Sequence, residues 1–404
     1  MTPSILSLTF NDLTSLNRAK PEINTSKSKT DPFGFLAALF PLPSGVRDGT
    51  YKAMFKHIGL SVVLLISGCV AAPVQVVRDM PQHEVVPCPA APERGAVRNV
   101  IFMIGDGMGA EHVWAAWLCN KGKLNITGLT DTAFSYTASA NKTITDSAAG
   151  GTALACGEKT NNGMLGQAPD GRELSSLAAR FRERGKATGL VVTKAITDAT
   201  PAAFYAHTAS RDNRAEIAEG LTTAGFDVVL GGGAGAFSDE QMARMRKNGA
   251  DVELFASGDC PPASKRGDLL PRNVERALAR LEKSDKGFFL MVEGSSIDMA
   301  GHDNNLDEVV REVLDFDQAV GVVLQWMKKH PDTLLVVTAD HQTGGLSLLD
   351  GSRDSGWVKG VFTTWYHSGV AVPIYAAGAG ASAFRGVMDN TRVPQEILRA
   401  ATQK

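Results

Sequence analysis

The sequence predicts an α/β protein, a three-layer sandwich in which helices cover both faces of a mostly parallel central sheet. Three observations lead to this fold class. Apolar runs of strand length alternate along the chain with amphipathic helical patterns. The runs are continuously apolar, as expected of strands that are buried on both faces. No internal repeat and no clear second domain interrupt the alternation, which is typical of a parallel sheet with helices on both sides.

Six strands and five helices are predicted in alternation. The strands occupy residues 97–104, 189–192, 228–230, 288–292, 334–338 and 372–376. The helices occupy residues 174–184, 214–224, 239–247, 272–283 and 306–329. In the last helix the apolar residues recur at the spacing of one helical face.

Composition narrows the class of partner. The chain has 404 residues, 21% of them charged and 44% hydrophobic, and a formal net charge of −2. This composition is ordinary for a globular protein. A balance so close to neutral argues against nucleic acid as the main partner.

The beginning of the chain has a different character. Residues 1–53 show no sustained period, and we interpret them as a disordered or mis-assigned extension, with translation beginning at Met54. Residues 54–69 combine basic residues, a short apolar run and a final Ile-Ser-Gly-Cys. This order is typical of a bacterial lipoprotein signal peptide, and the alternative is a short buried helix that ends in Gly-Cys. The sequence therefore predicts an exported, periplasmic protein of a Gram-negative bacterium, anchored to the membrane by a lipid at Cys69.

The part that follows the signal divides into two segments. Residues 70–94 are Pro-rich and predict a tether, and residues 95–404 form one large domain. Four cysteines remain after Cys69, an even number that permits disulfides in an exported protein. Their pairing is left open, and Cys156 is equally consistent with a small buried thiol. The four are Cys88, Cys119, Cys156 and Cys260.

Polar side chains gather where the predicted strands end. In open α/β sheets, function collects beyond the carboxyl ends of the strands. Buried carboxylates at one edge would repel one another without cations. Mixed Asp and His ligands suit zinc, whereas all-oxygen sets suit magnesium. The residues concerned are Asp106, Asp198, Glu293, Asp298, His302, Asp340 and His341.

Ser147 is the candidate nucleophile. It follows Asp146 in the segment Thr-Asp-Ser-Ala-Ala, where small residues leave room for a substrate. A serine hydroxyl needs a base or a metal to become nucleophilic at neutral pH, and no histidine is near it in sequence. The alternative for this segment is a helix N-cap.

At this point the sequence resembles the alkaline phosphatase family over residues 98–378. The resemblance rests on seven motifs in order: Gly-Asp-Gly-Met-Gly at 105–109, Thr-Asp-Ser-Ala-Ala at 145–149, Thr-Asp-Ala-Thr-Pro-Ala-Ala-Phe at 197–204, His-Thr-Ala-Ser-Arg at 207–211, Val-Glu-Gly-Ser-Ser-Ile-Asp at 292–298, Thr-Ala-Asp-His at 338–341 and Tyr-His-Ser-Gly at 366–369.

The resemblance implies an alkaline phosphatase, which hydrolyses small phosphate monoesters through a phosphoserine at Ser147. Arg211 would grip two phosphoryl oxygens as a bidentate fork, and Asp146 would orient it. Two zinc ions and one magnesium ion are implied. One zinc would bind and activate the Ser147 hydroxyl and is held by Asp106, Asp340 and His341; the other, on the leaving-group side, is held by Asp298, His302 and His367; magnesium is held by Asp198, Thr200 and Glu293, with Asp106 bridging to it.

The chain also departs from the family. Many bacterial members have a lysine where this sequence has Met299, which leads us to expect weaker retention of phosphate. The chain is short for the family, so a homodimer stays an open expectation. The sequence assigns no role to His112, His207 and His330, which we interpret as structural or exposed.

Three rival functions follow from the same residues. A phosphodiesterase or a sulfatase would belong to the same superfamily. Arg211 favours monoesters, because its guanidinium matches two free phosphoryl oxygens that a diester lacks, and a Cys-x-Pro-x-Arg motif typical of sulfatases is absent around Ser147. A non-catalytic phosphate-binding lipoprotein is the rival from a different class, and the complete set of nucleophile, metal ligands and arginine argues against it.

Overall fold

The computed structural model describes residues 72–91, 96–247 and 249–402. These residues belong to a compact unit that begins at Ala72. The predicted extension, the signal peptide and Cys69 lie outside the described residues.

Within the described residues the strands, in chain order, are β1 (Gln75–Val77), β2 (Asn99–Gly105), β3 (Asp131–Tyr136), β4 (Ala187–Ala195), β5 (Val228–Gly232), β6 (Asp251–Leu254), β7 (Phe288–Gly294), β8 (Thr333–Thr338), β9 (Gln342–Thr343), β10 (Ser347–Ser352), β11 (Trp357–Val361), β12 (His367–Ser368), β13 (Val372–Gly378) and β14 (Gly386–Asp389).

The helices are α1 (Ala110–Cys119), α2 (Ser147–Cys156), α3 (Leu177–Glu183), α4 (Ala199–Ala202), α5 (Arg214–Ala224), α6 (Asp239–Arg246), α7 (Ala263–Arg266), α8 (Leu269–Leu281), α9 (Ser296–His302), α10 (Leu306–Met327) and α11 (Arg392–Thr402). Short 3₁₀ turns occur at Ile126–Gly128, Ala234–Ala236 and Ala381–Ala383.

A nine-stranded sheet forms the middle layer, in the order β14-β3-β13-β8-β2-β7-β4-β5-β6. The six strands from β8 to β6 in this order are mutually parallel. Strand β13 runs antiparallel to both of its neighbours, β8 and β3. The prediction of a mostly parallel sheet is therefore confirmed.

Two apolar cores lie on opposite faces of this sheet, as β2 shows most clearly. Ile101 and Met103 belong to the core formed with helices α1, α8 and α10. Val100, Phe102 and Ile104 belong to the core formed with helices α2, α3 and α11. Successive side chains of a strand point to opposite faces, so a strand that is apolar at every position must be covered on both sides. The predicted three-layer sandwich is confirmed.

The segment predicted as a tether differs from that prediction over residues 72–91. Strand β1 pairs with β11 in a three-stranded sheet with β10. Val77 and Met80 are buried in the core. His83 Nε2 lies 2.7 Å from Asp317 Oδ2 on helix α10. Apolar side chains scattered among the prolines explain why this segment packs against the domain.

All six predicted strands and all five predicted helices are present, with ends that shift by a few residues. Strand β3 was not predicted. Its buried positions are Asp131, Ala133 and Ser135, while Phe134 and Tyr136 are exposed. Two of the buried side chains are thus polar, and the two large apolar ones are exposed. The strand therefore contains no apolar run by which the sequence could predict it.

Two further properties bear on the predictions. Cys88, Cys119, Cys156 and Cys260 are free thiols, so no disulfide joins them, and of the two alternatives left open for Cys156 the structure shows the buried thiol. Among the described residues, no helix combines the length and the apolar character needed to cross a membrane.

Candidate active site

Four neighbouring strands deliver carboxylates to one edge of the central sheet. Strands β8, β2, β7 and β4 are adjacent and parallel, so their carboxyl ends meet. Asp340 follows β8, Asp106 follows β2 and Asp198 follows β4, while Glu293 is the last residue but one of β7. The sequence argument that strand ends bring these residues together is confirmed by their positions.

Asp106, Asp340 and His341 form the first cluster of possible metal ligands. Nε2 of His341 lies 3.3 Å from Oδ1 of Asp106 and 3.2 Å from Oδ2 of Asp340. The Ser147 hydroxyl is 3.1 Å from the same nitrogen. Ligands about 2.0–2.1 Å from a tetrahedral zinc are spaced by about 3.3 Å. The three distances from Nε2 of His341 thus match the edges of one such site.

Asp298, His302 and His367 form the second cluster. Oδ1 of Asp298 lies 3.4 Å from Nε2 of His302 and 3.5 Å from Nε2 of His367. The two histidine nitrogens are 3.2 Å apart. Asp298 and His302 are four residues apart on α9, which places them on one helical face. These distances again match the edges of a tetrahedral zinc site, about 3.3 Å.

Hydrogen bonds at the outer nitrogens fix the orientation of the three histidines. Nδ1 of His302 donates to the carbonyl of Trp365 at 2.5 Å, and Nδ1 of His367 donates to the carbonyl of Thr145 at 2.8 Å. Nδ1 of His341 is 3.2 Å from the Thr343 hydroxyl. With Nδ1 protonated, each ring presents the Nε2 lone pair to its cluster, as in metal-binding histidines.

His367 reaches the cluster through a short pair of strands. His367 pairs with Thr343 and Ser368 with Gln342, between β12 and β9. Strand β9 directly follows His341, so this pairing stacks the rings of His341 and His367 at a centroid distance of 3.5 Å. The sequence offered only a four-residue motif for His367, and the strand pair supplies its position.

Unpartnered buried oxygens test whether cations fit this edge. Asp106 Oδ1, Asp340 Oδ2 and Glu293 Oε2 are buried and have no hydrogen-bond partner. Burial, together with the neighbouring carboxyls, raises the pKa of Asp106 well above its ordinary value, that of Asp340 to about 6 and that of Glu293 to about 8. Anionic oxygens in such a setting are stable only beside cations. The residues therefore fit divalent metals.

Asp298 differs from these carboxyls. Burial by itself would raise its pKa, but its hydrogen-bond partner His367 and the neighbouring His302 hold the pKa of Asp298 below its ordinary value. Burial and the neighbouring His367 in turn keep the pKa of His341 well below its ordinary value, so His341 is neutral and its Nε2 can bind a metal.

The residues predicted to hold magnesium divide into two groups. The Thr200 hydroxyl is 3.5 Å from Asp106 Oδ2, and Glu293 keeps one buried oxygen free. Both oxygens of Asp198 already accept from donors: Oδ1 from Arg211 at 3.2 Å and from the amide of Ala199 at 2.9 Å, and Oδ2 from Lys194. Asp198 therefore contacts two side-chain cations. Of the other two residues, Thr200 turns its hydroxyl towards Asp106, and Glu293 has one oxygen without a hydrogen-bond partner.

Ser147 is the first residue of helix α2, and Asp146, not Ser147, is its N-cap. Oδ1 of Asp146 accepts from the amide of Ala149 at 3.0 Å, and Oδ2 accepts from the amide of Gly163 at 2.9 Å. The cap leaves the hydroxyl of Ser147 free to point at His341. The amino end of α2 also carries a partial positive charge that suits an anion.

Arg211 lies beside the nucleophile. Its Nη1 is 3.6 Å from Oδ2 of Asp146, and its Nη2 is 3.2 Å from Oδ1 of Asp198. The prediction that Asp146 orients Arg211 agrees with this geometry. Although burial opposes the charge, Asp198 and Asp146 raise the pKa of Arg211 further, so the guanidinium remains cationic at the site.

Lys194 is the residue that the sequence analysis missed. It lies on β4, is nearly buried, and its ammonium forms an ion pair with Asp198. Its pKa is raised because Asp198 and Asp106 outweigh the cost of burial. The signal that could have found it is a lysine within an otherwise apolar strand that is covered on both faces.

The remaining histidines have structural positions, as predicted. His112 is fully buried and its Nδ1 accepts from the amide of Gly109 at 3.2 Å. Nδ1 of His207 lies 2.8 Å from the carbonyl of Gly166. His330 stacks on Trp326 with ring centroids 3.7 Å apart. Met299, at the position of the family lysine, is 43% exposed.

Comparison with known proteins gives one consistent result. The alkaline phosphatase family profile matches residues 97–254 and 252–361. The chain is 37% identical over 296 residues to alkaline phosphatase 4 of Bacillus subtilis, covering 63% of this chain and 64% of that protein. It is 30% identical over an alignment of 412 positions to alkaline phosphatase 3 of the same organism, covering 75% of this chain and 89% of that protein. The chain thus spans somewhat less than two thirds of the first relative's length.

Among solved structures, the alkaline phosphatase of the Antarctic bacterium TAB5 is similar throughout. It superposes with a TM-score of 0.72 at 31% identity, covering 76% of this chain and 99% of that one. A variant of the TAB5 enzyme has been solved with magnesium bound in its M3 site, at a TM-score of 0.71.

Proposed function

This chain belongs to the alkaline phosphatase family, and from that premise we propose that it hydrolyses phosphate monoesters to inorganic phosphate and an alcohol through a phosphoserine at Ser147. One observation carries the proposal. The Ser147 hydroxyl lies 3.1 Å from Nε2 of His341, among buried carboxylate oxygens that have no hydrogen-bond donor. A hydroxyl in this position is presented to whatever cation those oxygens hold.

We propose two zinc ions and one magnesium ion as the cofactors. The mixed Asp and His clusters around His341 and around His302 support zinc, and the oxygens of Asp106, Thr200 and Glu293 support magnesium. Magnesium bound to a variant of the TAB5 relative is consistent with this assignment. Bound divalent cations lower the pKa of a hydroxyl and neutralise charge on the attacking and leaving oxygens.

The chain's own residues account for binding and orientation of the phosphoryl group. Arg211 donates to two phosphoryl oxygens, and the amino end of α2 adds a favourable dipole. The Ser147 oxygen then forms a bond to phosphorus as the bond to the alcohol oxygen breaks, and the alcohol leaves with a proton. In the second step water attacks phosphorus, the bond to Ser147 breaks, and the serine proton is restored. Two in-line displacements predict retention of configuration at phosphorus.

Each rival function would require a site that differs from the one described. A diester has one free phosphoryl oxygen fewer, so a bidentate guanidinium gains less from it. A sulfatase would require a nucleophile motif that Ser147 and its neighbours lack. A phosphate-binding lipoprotein without catalysis would have no use for a serine held beside buried metal ligands.

One experiment separates these functions. Purified protein loaded with zinc and magnesium is assayed on the monoester, the diester and the sulfate ester of one phenol, and is labelled with a ³²P-monoester before an acid quench. We expect monoester hydrolysis and labelled protein, both abolished by chelation and by Ser147→Ala, with a loss in kcat/KM of at least about 10³-fold. The control Ser264→Ala changes an exposed serine and keeps the activity. Equal or faster hydrolysis of the diester or the sulfate would refute the monoesterase, and no turnover of any ester would favour the binding protein.

We also propose that the protein is exported and anchored by a lipid at Cys69. The proposal depends on the sequence of residues 54–69 alone, and a homodimer is proposed only by analogy with the family. Incorporation of labelled palmitate that is lost in Cys69→Ala supports the anchor, and equal labelling of both proteins contradicts it. Light scattering of the protein that begins after Cys69 gives the oligomeric state.

A further inference from the structure

Exposed apolar side chains are concentrated around the candidate site. Among the described residues, twelve large hydrophobic side chains are exposed. Five of these lie within three residues, along the sequence, of a predicted site residue. We call them the apolar rim: Ile144, Met299, Trp365, Tyr366 and Val370.

The site opens to solvent beside His302. The ligand side chains of Asp340 and His341 are fully buried, whereas the side chain of His302 is 31% exposed. The side chain of Arg211 is exposed to a similar degree, at 30%. A substrate that places its phosphoryl group between Ser147 and Arg211 can therefore direct the rest of the molecule outwards past the exposed edge of His302.

Two members of the rim lie next to His302. Met299 lies three residues before His302 on α9, and residues at this spacing are neighbours on a helix surface. The carbonyl of Trp365 accepts from Nδ1 of His302 at 2.5 Å. The backbone contact fixes the position of Trp365 relative to the exit, while its side chain remains 68% exposed.

The ring of Trp365 is held in place although it is exposed. With the Asn304 amide oriented to satisfy its neighbours, Nε1 of Trp365 donates to Asn304 Oδ1 at 3.1 Å, and the Asn304 nitrogen donates to the carbonyls of Thr364 and Gly301. Tyr366 follows Trp365 and is 75% exposed. An aromatic ring that is anchored at its polar atom presents its apolar surface to a ligand.

The other two members of the rim, Ile144 and Val370, lie near the ends of the segments that flank Ser147 and His367. Ile144 precedes Thr145, whose carbonyl accepts from His367. A Cβ on Gly369 would lie 2.8 Å from the Cδ1 atom of Ile144, so the two loops are in contact. Val370 follows Gly369. The segment that precedes Ser147 and the segment that follows His367 are therefore in contact, and each supplies an apolar group beside the site.

We propose that the apolar rim is a leaving-group subsite, which makes the enzyme prefer phosphate monoesters of alcohols that carry an aromatic ring. The inference rests on the proposed phosphomonoesterase function. Exposed apolar clusters next to a functional site mark a binding surface. Polar alcohols such as glycerol would leave the rings of Trp365 and Tyr366 in water, whereas a ring on the alcohol removes apolar surface of both partners from water.

The test compares benzyl phosphate with ethyl phosphate, whose alcohols have similar acidity and differ in the ring. We expect the wild type to prefer benzyl phosphate in kcat/KM by about threefold to tenfold, mainly through KM, as for one aromatic contact. Trp365→Ala and Tyr366→Ala should each reduce this ratio, and Trp365→Phe should retain most of it. These substitutions keep the backbone carbonyl that His302 requires. The control Phe134→Ala removes an exposed ring from strand β3 and keeps the ratio.

Binding without turnover gives a second readout. Benzylphosphonate should bind Ser147→Ala protein more tightly than ethylphosphonate by a similar factor, and Trp365→Ala should remove the difference. Adenosine 5′-monophosphate tests which kind of aromatic alcohol is preferred. A kcat/KM above that for benzyl phosphate indicates nucleosides, and a lower value indicates simple aryl groups. A benzyl-to-ethyl ratio near one, or a ratio unchanged in both alanine variants, overturns the inference while the hydrolysis of ethyl phosphate still supports the monoesterase. Absence of hydrolysis of both esters would instead refute the monoesterase.

Discussion

Lys194 and Asp198 form an ion pair four residues apart, where β4 ends and the candidate site begins. Both side chains are largely buried. Because Arg211 donates to the other oxygen of Asp198, this carboxylate lies between two cations. Burial would raise the pKa of Asp198, but Lys194 and Arg211 together hold it below its ordinary value. Asp198 thus contacts both the lysine on β4 and the arginine that we propose binds phosphate, so that a change in the charge of Lys194 should affect Arg211.

Replacement of Lys194 tests this coupling. Lys194→Met removes a positive charge from the neighbourhood of Asp106 and Glu293, so we expect Mg²⁺ to bind about tenfold more tightly and inorganic phosphate to bind more weakly. Asp198 keeps Arg211 and the Ala199 amide as donors, so loss of the lysine should also lower the free energy of unfolding by about 1–3 kcal/mol, as for a lost buried hydrogen-bond partner. Calorimetric titration and urea denaturation measure the two effects. The control Lys265→Met changes an exposed lysine on α7. Weaker magnesium binding in the variant would contradict the electrostatic interpretation.

The raised pKa of Glu293 predicts a pH-dependent effect of metal removal. Its pKa is about 8 in the folded protein against an ordinary value of 4.5. A raised pKa of an acid stabilises the fold below pH 4.5, and this contribution is lost as the pH rises to 8. The metal-free protein should therefore lose stability across this window, whereas a bound cation offsets the charge of the carboxylate.

The difference in Tm between metal-loaded and chelated protein should accordingly grow from pH 5 to pH 8. Asp340, with a pKa of about 6, contributes in the lower half of the window. Glu293→Gln should reduce the growth above pH 6, because the amide does not titrate. A difference that is constant with pH in the wild type would argue against buried carboxyls as the metal ligands.

Met299 is the position at which we expect the sequence to depart from the family's lysine. Met299→Lys adds a cation beside Asp298 at the exposed side of the site, and we expect inorganic phosphate to inhibit about threefold to tenfold more strongly. The control Met299→Gln has similar length and no charge, and should leave the inhibition constant near that of the wild type. An unchanged inhibition constant in Met299→Lys would refute the link between this position and phosphate retention.

His83 anchors the segment 72–91 to the domain. His83→Ala removes the contact with Asp317, which keeps the amides of Asn125 and Ile126 as donors. We therefore expect a moderate loss of about 1–2 kcal/mol in the free energy of unfolding and faster proteolysis within 72–91. His330→Ala, at a half-exposed histidine that follows α10, is the comparison. Equal proteolysis of the wild type and His83→Ala would show that β1 and the buried Val77 hold the segment without His83.

Much of the site could be predicted because its residues follow strands. A continuous apolar run identifies a buried parallel strand, and the polar residue after it must emerge at the carboxyl edge. Asp106 and Asp340 were found in this way. Asp298 and His302 were predicted in the same way, from the polar segment that follows the strand at 288–292. These are local properties of the chain, and neither requires knowledge of distant contacts.

Other features depend on contacts between segments far apart in sequence. His367 reaches Asp298 only because β12 pairs with β9. Residues 72–91 dock because β11, some 280 residues later, offers an edge to β1, and because Val77, Met80 and His83 contact distant parts of the domain. Strand β3 is hidden by an inverted pattern of polarity. No periodicity within these short segments encodes their partners.

The sequence by itself determined the three-layer fold, the family motifs and the choice of Ser147 as the candidate nucleophile, because burial on both sheet faces and residue order along the chain are local signals. The tertiary structure decided which donor each carboxylate meets. It directed Asp198 to Lys194 and Arg211, left oxygens of Asp106, Asp340 and Glu293 buried without hydrogen bonds, and placed Trp365 beside His302. The physical reason is that the charge and hydrogen bonding of a buried group depend on atoms within a few ångströms of it, and folding brings those atoms from distant parts of the chain.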